Sequence, residues 1–232
     1  MSRTTSPDKR QRLVHILREA KQLLLGPRDD PTPLYRHGPF DLERQRAAEA
    51  GILEAIASDA PLPDVLRQIA LAVDALNPGI VCSILLLDAD LVHLRLGAAP
   101  HLPDAIARAF DGQPIGPNAG SCGTAAFTGQ PVIVADIATD PRWTGFREPM
   151  QGSGFRACWS VPVLDAAGRV LATFALYGRE ARAPDDGQIE MIARFAHLVG
   201  IAVERTRRRE ELRASEERFR SIYRSVAVSI WE

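Results

Sequence analysis

Two apolar, β-rich runs, RACWSVPVL (156–164) and RVLATFALY (169–177), are separated by only four residues, Asp165-Ala166-Ala167-Gly168. Such runs flanking a short turn that ends in glycine predict a hairpin of two central strands. A second hairpin is predicted upstream. IVCSILLLD (80–88) reads as a buried strand, and Asp88-Ala89-Asp90 turns it into a half-exposed partner, LVHLRL (91–96). Two central hairpins require covering layers, and the remaining segments supply them.

Ala48, Ile52, Ala55 and Ile56 share a helical face after Asp41, and Leu66, Ile69, Val73 and Leu76 share another. The first pattern breaks at Pro61-Leu62-Pro63 and the second stops at Asn77-Pro78-Gly79. APDD (183–186) caps a long helix in which Ile189, Ile192, Ala196, Val199 and Val203 form a coiled-coil-like seam. The charged run ERTRRREELR interrupts that seam, and Leu212, Ser215, Phe219, Ile222 and Val226 resume it in another register. Between the hairpins lie a short helix (104–110), a Gly/Pro-shaped loop (111–120) and a helix at 121–128 closed by Gly129. The strand PVIVAD follows, then a short helix capped by Asp140 with Pro141 in its first turn. This order predicts an α+β fold: an antiparallel sheet covered by helices, with a pocket in the insertion 97–155.

A basic amphipathic helix around Leu13, Leu17, Ala20 and Leu24 precedes this unit. It suits packing on a dimer partner or on the next domain better than a membrane surface. Gly26-Pro27 ends it, and GPRDDPTPLYRHGP reads as a Pro-rich linker. The 232 residues carry a formal net charge of −1, so no general attraction to nucleic acid or anionic membrane is expected. No apolar run approaches the ~18 residues of a membrane span, and the polar N-terminus lacks a signal-peptide core. A cytoplasmic location is the expectation. The three cysteines form no CxxC pair, which fits reduced thiols, and the five histidines show no metal-site spacing.

SILLLD, the loop ending in GSCGTAAFTGQPVIVADIATDPRW, FRACWSVPV, and ATFALYGREARAP before a long helix together resemble a GAF domain of bacterial sensory proteins. The resemblance covers about residues 44–205. It implies a central antiparallel sheet of five or six strands. The N- and C-terminal helices would lie on one face, and a ligand pocket roofed by the insertion on the other. SEERFRSIYRSVAVSIWE (215–232) resembles the start of a PAS domain. The domains expected are therefore a basic helix and linker (1–40), a GAF unit (41–205), a linker helix (206–214) and the beginning of a PAS domain (215–232). The resemblance implies a sensory module that binds a small molecule or senses redox state. It would pair as a parallel homodimer through 41–57 and 186–222 and relay to a PAS, histidine kinase or cyclic-di-GMP output domain.

His101, Cys122, Thr124, Trp143, Phe155 and Trp159 are the candidate ligand-binding residues. Cys122 sits between glycines at a helix start, where a thiolate is stabilised. The free methionine sulfoxide reductases of the same family share GSCG, which makes a thiol enzyme or redox switch one alternative. No cysteine flanks the helix to serve as the disulfide partner that such a cycle needs, so a small buried residue is the preferred reading. A ligandless dimerisation scaffold is another alternative. Trp159 reads equally as pocket wall or core, and alternation groups it with Phe155, Ala157 and Val161. Arg142 and Arg156 are expected to pair with Asp140 or Asp136, or simply to be exposed, rather than to bind a ligand. No cofactor is expected: His93 and His101 are lone histidines, and no cysteine–histidine pair for a bilin is present. No output-enzyme motif occurs, so no catalysis is expected within this chain.

Overall fold

A computed structural model describes residues 6–25 and 39–229, with side chains for 10–23 and 43–220. Five strands form one antiparallel sheet in the order β2-β1-β5-β4-β3. They are β1 (Ile80–Leu87), β2 (Leu94–Ala98), β3 (Val132–Val134), β4 (Ala157–Leu164) and β5 (Val170–Gly178). The two predicted hairpins therefore lie side by side through β1 and β5. Three central strands with no charged side chain are buried on both faces, as an apolar run of that length requires.

One face carries α1 (Ser6–Leu25), α2 (Pro39–Ala57), α3 (Leu62–Leu76) and α7 (Asp186–Ser229). The other carries α4 (Asp104–Phe110), α5 (Gly120–Thr128), a 3-10 turn (Pro141–Phe146) and α6 (Arg147–Met150). Each face has its own apolar core. α3 starts at Pro61 with Pro63 in its first turn, and Asp64 complements the positive end of the helix. α7 starts with a reciprocal cap: Gln188 N–H donates to Asp185 at 2.8 Å, and Asp185 N–H donates to the Gln188 amide oxygen at 3.0 Å.

The structure corrects three expectations. The second strand begins at Leu94 rather than Leu91, because Asp90 accepts from the backbone of Val92 and His93 and extends the turn. The apolar seam 189–203 packs on its own sheet: Ile189, Ile192, Val199 and Val203 are all buried in the helix-side core. It is thus not available as a coiled-coil seam. α7 itself runs on unbroken through the charged run as far as Ser229. Its arginines fasten it. Arg205 donates to the carbonyls of Ile56 and Ala57 at the end of α2, and pairs with Asp59 at 2.7 Å. Arg209 reaches Asp59 at 3.0 Å, and Arg207 donates to Leu87 O at 3.0 Å. Finally, Phe155 does not share a side with Trp159. It precedes β4, so strand alternation does not govern it, and it joins the core opposite the long helices.

The N-terminal helix packs on the domain, with Val14 and Leu17 in the helix-side core. Arg10 and Arg18 pair with Glu190, and Lys21 pairs with Asp186. Residues 26–38 of the expected linker lie outside the described residues, and its last residue, Pro39, already opens α2.

Candidate functional site

On the face away from the long helices, three rows of residues cross β1, β5 and β4. Backbone pairing aligns Val81–Tyr177–Cys158, Ser83–Ala175–Ser160 and Leu85–Thr173–Pro162. The side chains of these rows point toward α5, because their strand neighbours Cys82, Phe174, Leu176, Trp159 and Val161 belong to the opposite core. A patch of hydroxyls therefore floors an otherwise apolar layer.

The floor is only partly satisfied. Ser83 Oγ donates to Tyr177 Oη at 3.3 Å, and the Cys122 thiol lies 3.8 Å from the same oxygen. Ser160 Oγ and Thr173 Oγ1 make no hydrogen bond of normal geometry: both residues are completely buried, and the Cys122 thiol, a weak partner, is the polar group they face. They are diagonal neighbours on the same face, and the hydroxyls of Ser160, Tyr177, Thr173 and Ser83 all bear on the Cys122 thiol. A buried hydroxyl without a good partner costs about 1–3 kcal/mol, so two together call for water or a ligand group.

Above the floor, α5 is buried from Gly120 to Ala126. Two of its glycines are required by geometry. Gly120 adopts φ +63°, and a Cβ on Gly123 would lie 2.6 Å from the Ala119 Cβ. The second closeness packs the Gly/Pro loop onto α5 rather than opening space for a ligand. Thr124 has the same task, donating to Pro117 O at 3.3 Å. Gln113 of that loop is buried beside Gly123, and its side-chain oxygen is a further polar atom without a partner.

Trp143, in the 3-10 turn, is the roof. Its indole N–H donates to Ser121 Oγ at 3.0 Å, and Ser121 donates onward to Cys158 O at 3.4 Å. The roof is thereby tied to β4 through one serine. Tyr177 is ringed by aromatics: Phe110 stacks on it at 6.2 Å, Phe155 lies tilted at 5.7 Å, and Trp143 meets it edge-on at 6.5 Å. Outside the roof, Asp140 caps the 3-10 turn and pairs with Arg142, while Asp136 pairs with Arg156 at 2.9 Å. Those pairings are the ones the sequence reading favoured.

The thiol chemistry runs against a nucleophile. Burial pushes the Cys122 thiol up from its ordinary range, and the surrounding hydroxyls pull it back only in part. Burial pushes the Cys158 thiol and the Tyr177 phenol well up too, reinforced by the neighbouring Cys122. Among the described residues, no group of three or more His, Cys, Asp and Glu is gathered to hold a metal.

Of the six candidates, Cys122, Trp143 and Phe155 come together on this face, and Thr124 supports them from α5. Trp159 does not join them. It faces the long helices, donates from its indole to Arg182 O at 3.0 Å, and carries the Arg182 guanidinium 5.1 Å above its ring. His101 is also elsewhere, exposed and hydrogen-bonded at 2.7 Å to Asp74 of α3. The hydroxyls of Ser83, Ser160 and Thr173 were missed. Their signal was available, since they are the hydroxyl residues inside three apolar strands.

The sequence profile of the family described as "GAF domain" matches residues 59–204. A methyl sulfide methyltransferase-associated sensor from Methanosarcina acetivorans is 39% identical over 175 residues, covering 75% of this chain. The matched part is 18% of that relative's length. In fold, the chain is similar to a domain of a protein described as a two-component sensor histidine kinase from Sinorhizobium meliloti. That match has a TM-score of 0.52 at 24% identity and covers 67% of this chain and 99% of that one. It is also similar to free methionine-R-sulfoxide reductase from Neisseria meningitidis, solved with its substrate. There the TM-score is 0.55 at 19% identity, covering 76% of this chain and 98% of the other. Among the described residues, no helix is long and apolar enough to cross a membrane.

Proposed function

Because the chain belongs to the GAF domain family, we propose that it acts as the sensory module of a longer signalling protein. It takes a small molecule between the hydroxyl floor and the Trp143 roof. The observation that carries this reading is the pair of buried hydroxyls of Ser160 and Thr173 beneath Cys122, neither of which makes a hydrogen bond of normal geometry. A ligand there would meet hydrogen-bonding groups at the floor and aromatic rings at the sides.

The relay follows from adjacency. Val161 and Phe174, next in sequence to the two hydroxyl residues, sit in the core shared with α7. A displacement of β4 or β5 by an occupant is therefore felt by α7 across the thickness of one strand. Beyond residue 204, α7 exposes Leu212 and Phe219, seven residues apart. That stripe, with the exposed Leu53 of α2, would join two copies in parallel, and a PAS or other output domain would follow. The seam 189–203, already used by the sheet, takes no part. The association of the Methanosarcina relative with sensing supports the sensory role. The thiol-enzyme reading is disfavoured by a Cys122 that is buried and raised in pKa.

The test is a thermal-shift screen of the 232-residue chain against uncharged and charged metabolites, repeated with Ser160→Ala/Thr173→Val. Hits that raise the melting temperature of the parent and not of the double variant support the pocket. Hits unaffected by the double substitution remove it.

A further inference from the structure

A concave site lies beside the helix face of the sheet, at the edge of β4 beyond its pairing with β3. It is a cavity of about 540 Å³ between α1, α7 and the β4–β5 turn. Leu13 and Ile16 of α1 form one wall, Ala193, Gly200 and Ile201 of α7 the other, and Val163 lies on the floor. Its size falls within the roughly 300–1,000 Å³ of small-molecule sites. The cavity exists because the α7 side is built from small residues, with Gly200 so near β4 that an added Cβ would lie 3.3 Å from Val163.

The occupant's chemistry can be read from the charges around it. Five ionisable residues line the cavity: Arg10, Arg12, Asp165, His197 and Glu204. Arg10 pairs with Glu190, Asp165 with Arg169 and Glu204 with Arg208, and neither Arg12 nor His197 is without a partner. The two arginines and the two carboxylates of the lining also balance in formal charge, so the cavity offers an ionic ligand no net attraction. A strand is equally unsuited. β3 pairs with β4 only as far as Ser160, and in the stretch beyond it Pro162 has no N–H to offer an added strand.

We propose that this cavity binds an uncharged, mainly apolar small molecule, and that its occupancy fixes α1 against α7. The site is distinct from the pocket proposed above: it lies at the edge of β4 beyond its pairing with β3, where Gly129, Pro131 and Pro162 also line it, and none of Ser83, Cys122, Trp143, Ser160 or Thr173 does. Occupancy would act on α7 directly, at residues 193–204, immediately before Arg205 clamps the helix to α2.

The uncharged fluorophore N-phenyl-1-naphthylamine tests this on the full chain, with 8-anilinonaphthalene-1-sulfonate as its anionic counterpart. The expected result is saturable one-to-one binding of the uncharged probe, at least tenfold tighter than the sulfonate. Hydrogen exchange in residues 10–23 should slow when the probe binds. Ile16→Trp and Ile201→Trp fill the cavity from opposite walls, and both positions are partly exposed, so at least one variant should keep its fold by circular dichroism. Either folded variant should weaken the uncharged probe at least tenfold. Leu212→Glu/Phe219→Glu, on the helix extension, should leave binding unchanged. Equal affinity for the sulfonate, binding that survives cavity filling, or binding lost with the helix-extension variant overturns the proposal. So does a dimer whose formation excludes the probe, since a second copy would then be the occupant.

Discussion

On β4 and β5, residues one peptide apart serve opposite layers. Val161 and Phe174 enter a core shared with four helices, whereas Ser160 and Thr173 enter a layer of short helices and loops. The helix-side layer contains Ile, Leu, Val, Ala, Phe, one Met, one thiol (Cys82) and one Trp whose N–H is satisfied by Arg182 O. The α5-side layer contains two thiols, a phenol and several hydroxyls, two of them without a hydrogen bond of normal geometry. An apolar core is the cheaper way to hold a sheet, because each buried polar group loses water that only a good hydrogen bond replaces. In the function proposed above, this difference between the layers separates a stabilising face from one kept for occupancy.

The comparison breaks most sharply at Phe174. Phe174→Ala empties the helix-side core and should cost about 3–5 kcal/mol in chemical denaturation. A loss under about 1 kcal/mol would mean that this layer is not the stabilising one. Trp143→Ala removes the roof and its bond to Ser121. It should cost about 3 kcal/mol and speed hydrogen exchange in α5 more than in α7. Equal acceleration in both helices would show that the roof has no separate stability.

Smaller effects sharpen the same contrast. Arg205→Ala frees the carbonyls of Ile56 and Ala57 and should cost about 1 kcal/mol, with exchange increased at the end of α2. Unchanged exchange there would detach the arginine clamp from the account. Iodoacetamide should modify Cys122 about tenfold or more slowly than a free thiol, since burial raises its pKa. A rate at or above that of free cysteine would restore the redox reading.

Acid should act on the roof. Arg156 holds the Asp136 carboxyl low, and Asp140, which burial would raise, is held low by hydrogen bonds from Arg142. Depressed carboxylates contribute stability above their unfolded pKa of about 3.9 and lose it as pH falls through the folded value. Exchange in residues 136–147 should therefore rise below about pH 4, before it rises in α7. The reverse order would contradict these roles.

Most of the fold was legible because its signals are local. The Asp165–Gly168 turn, the Asp140-Pro141 cap and the proline start of α3 each fix geometry within a few residues. The family resemblance rested on the same segments. Three things were not legible, and each depends on what packs on what. The seam 189–203 has the same periodicity whether it faces a partner helix or its own sheet. Trp159 could be assigned a face only once β4 was known to begin at Ala157, after Phe155. The arginines of ERTRRREELR read only as a break in the register of the seam, because nothing local connects them to Asp59 and the end of α2. In the site, GSCG drew attention to the thiol, while the hydroxyls around it were hidden inside apolar strands.

The most direct test is the stability of Ser160→Ala/Thr173→Val in the absence of any ligand, measured by urea denaturation. If the two hydroxyls are kept for an occupant, removing them should leave the empty chain as stable as the parent, or more stable by about 1 kcal/mol. A loss of about 2 kcal/mol or more would show that they hold the sheet together, and would contradict the reading of this face as a ligand site.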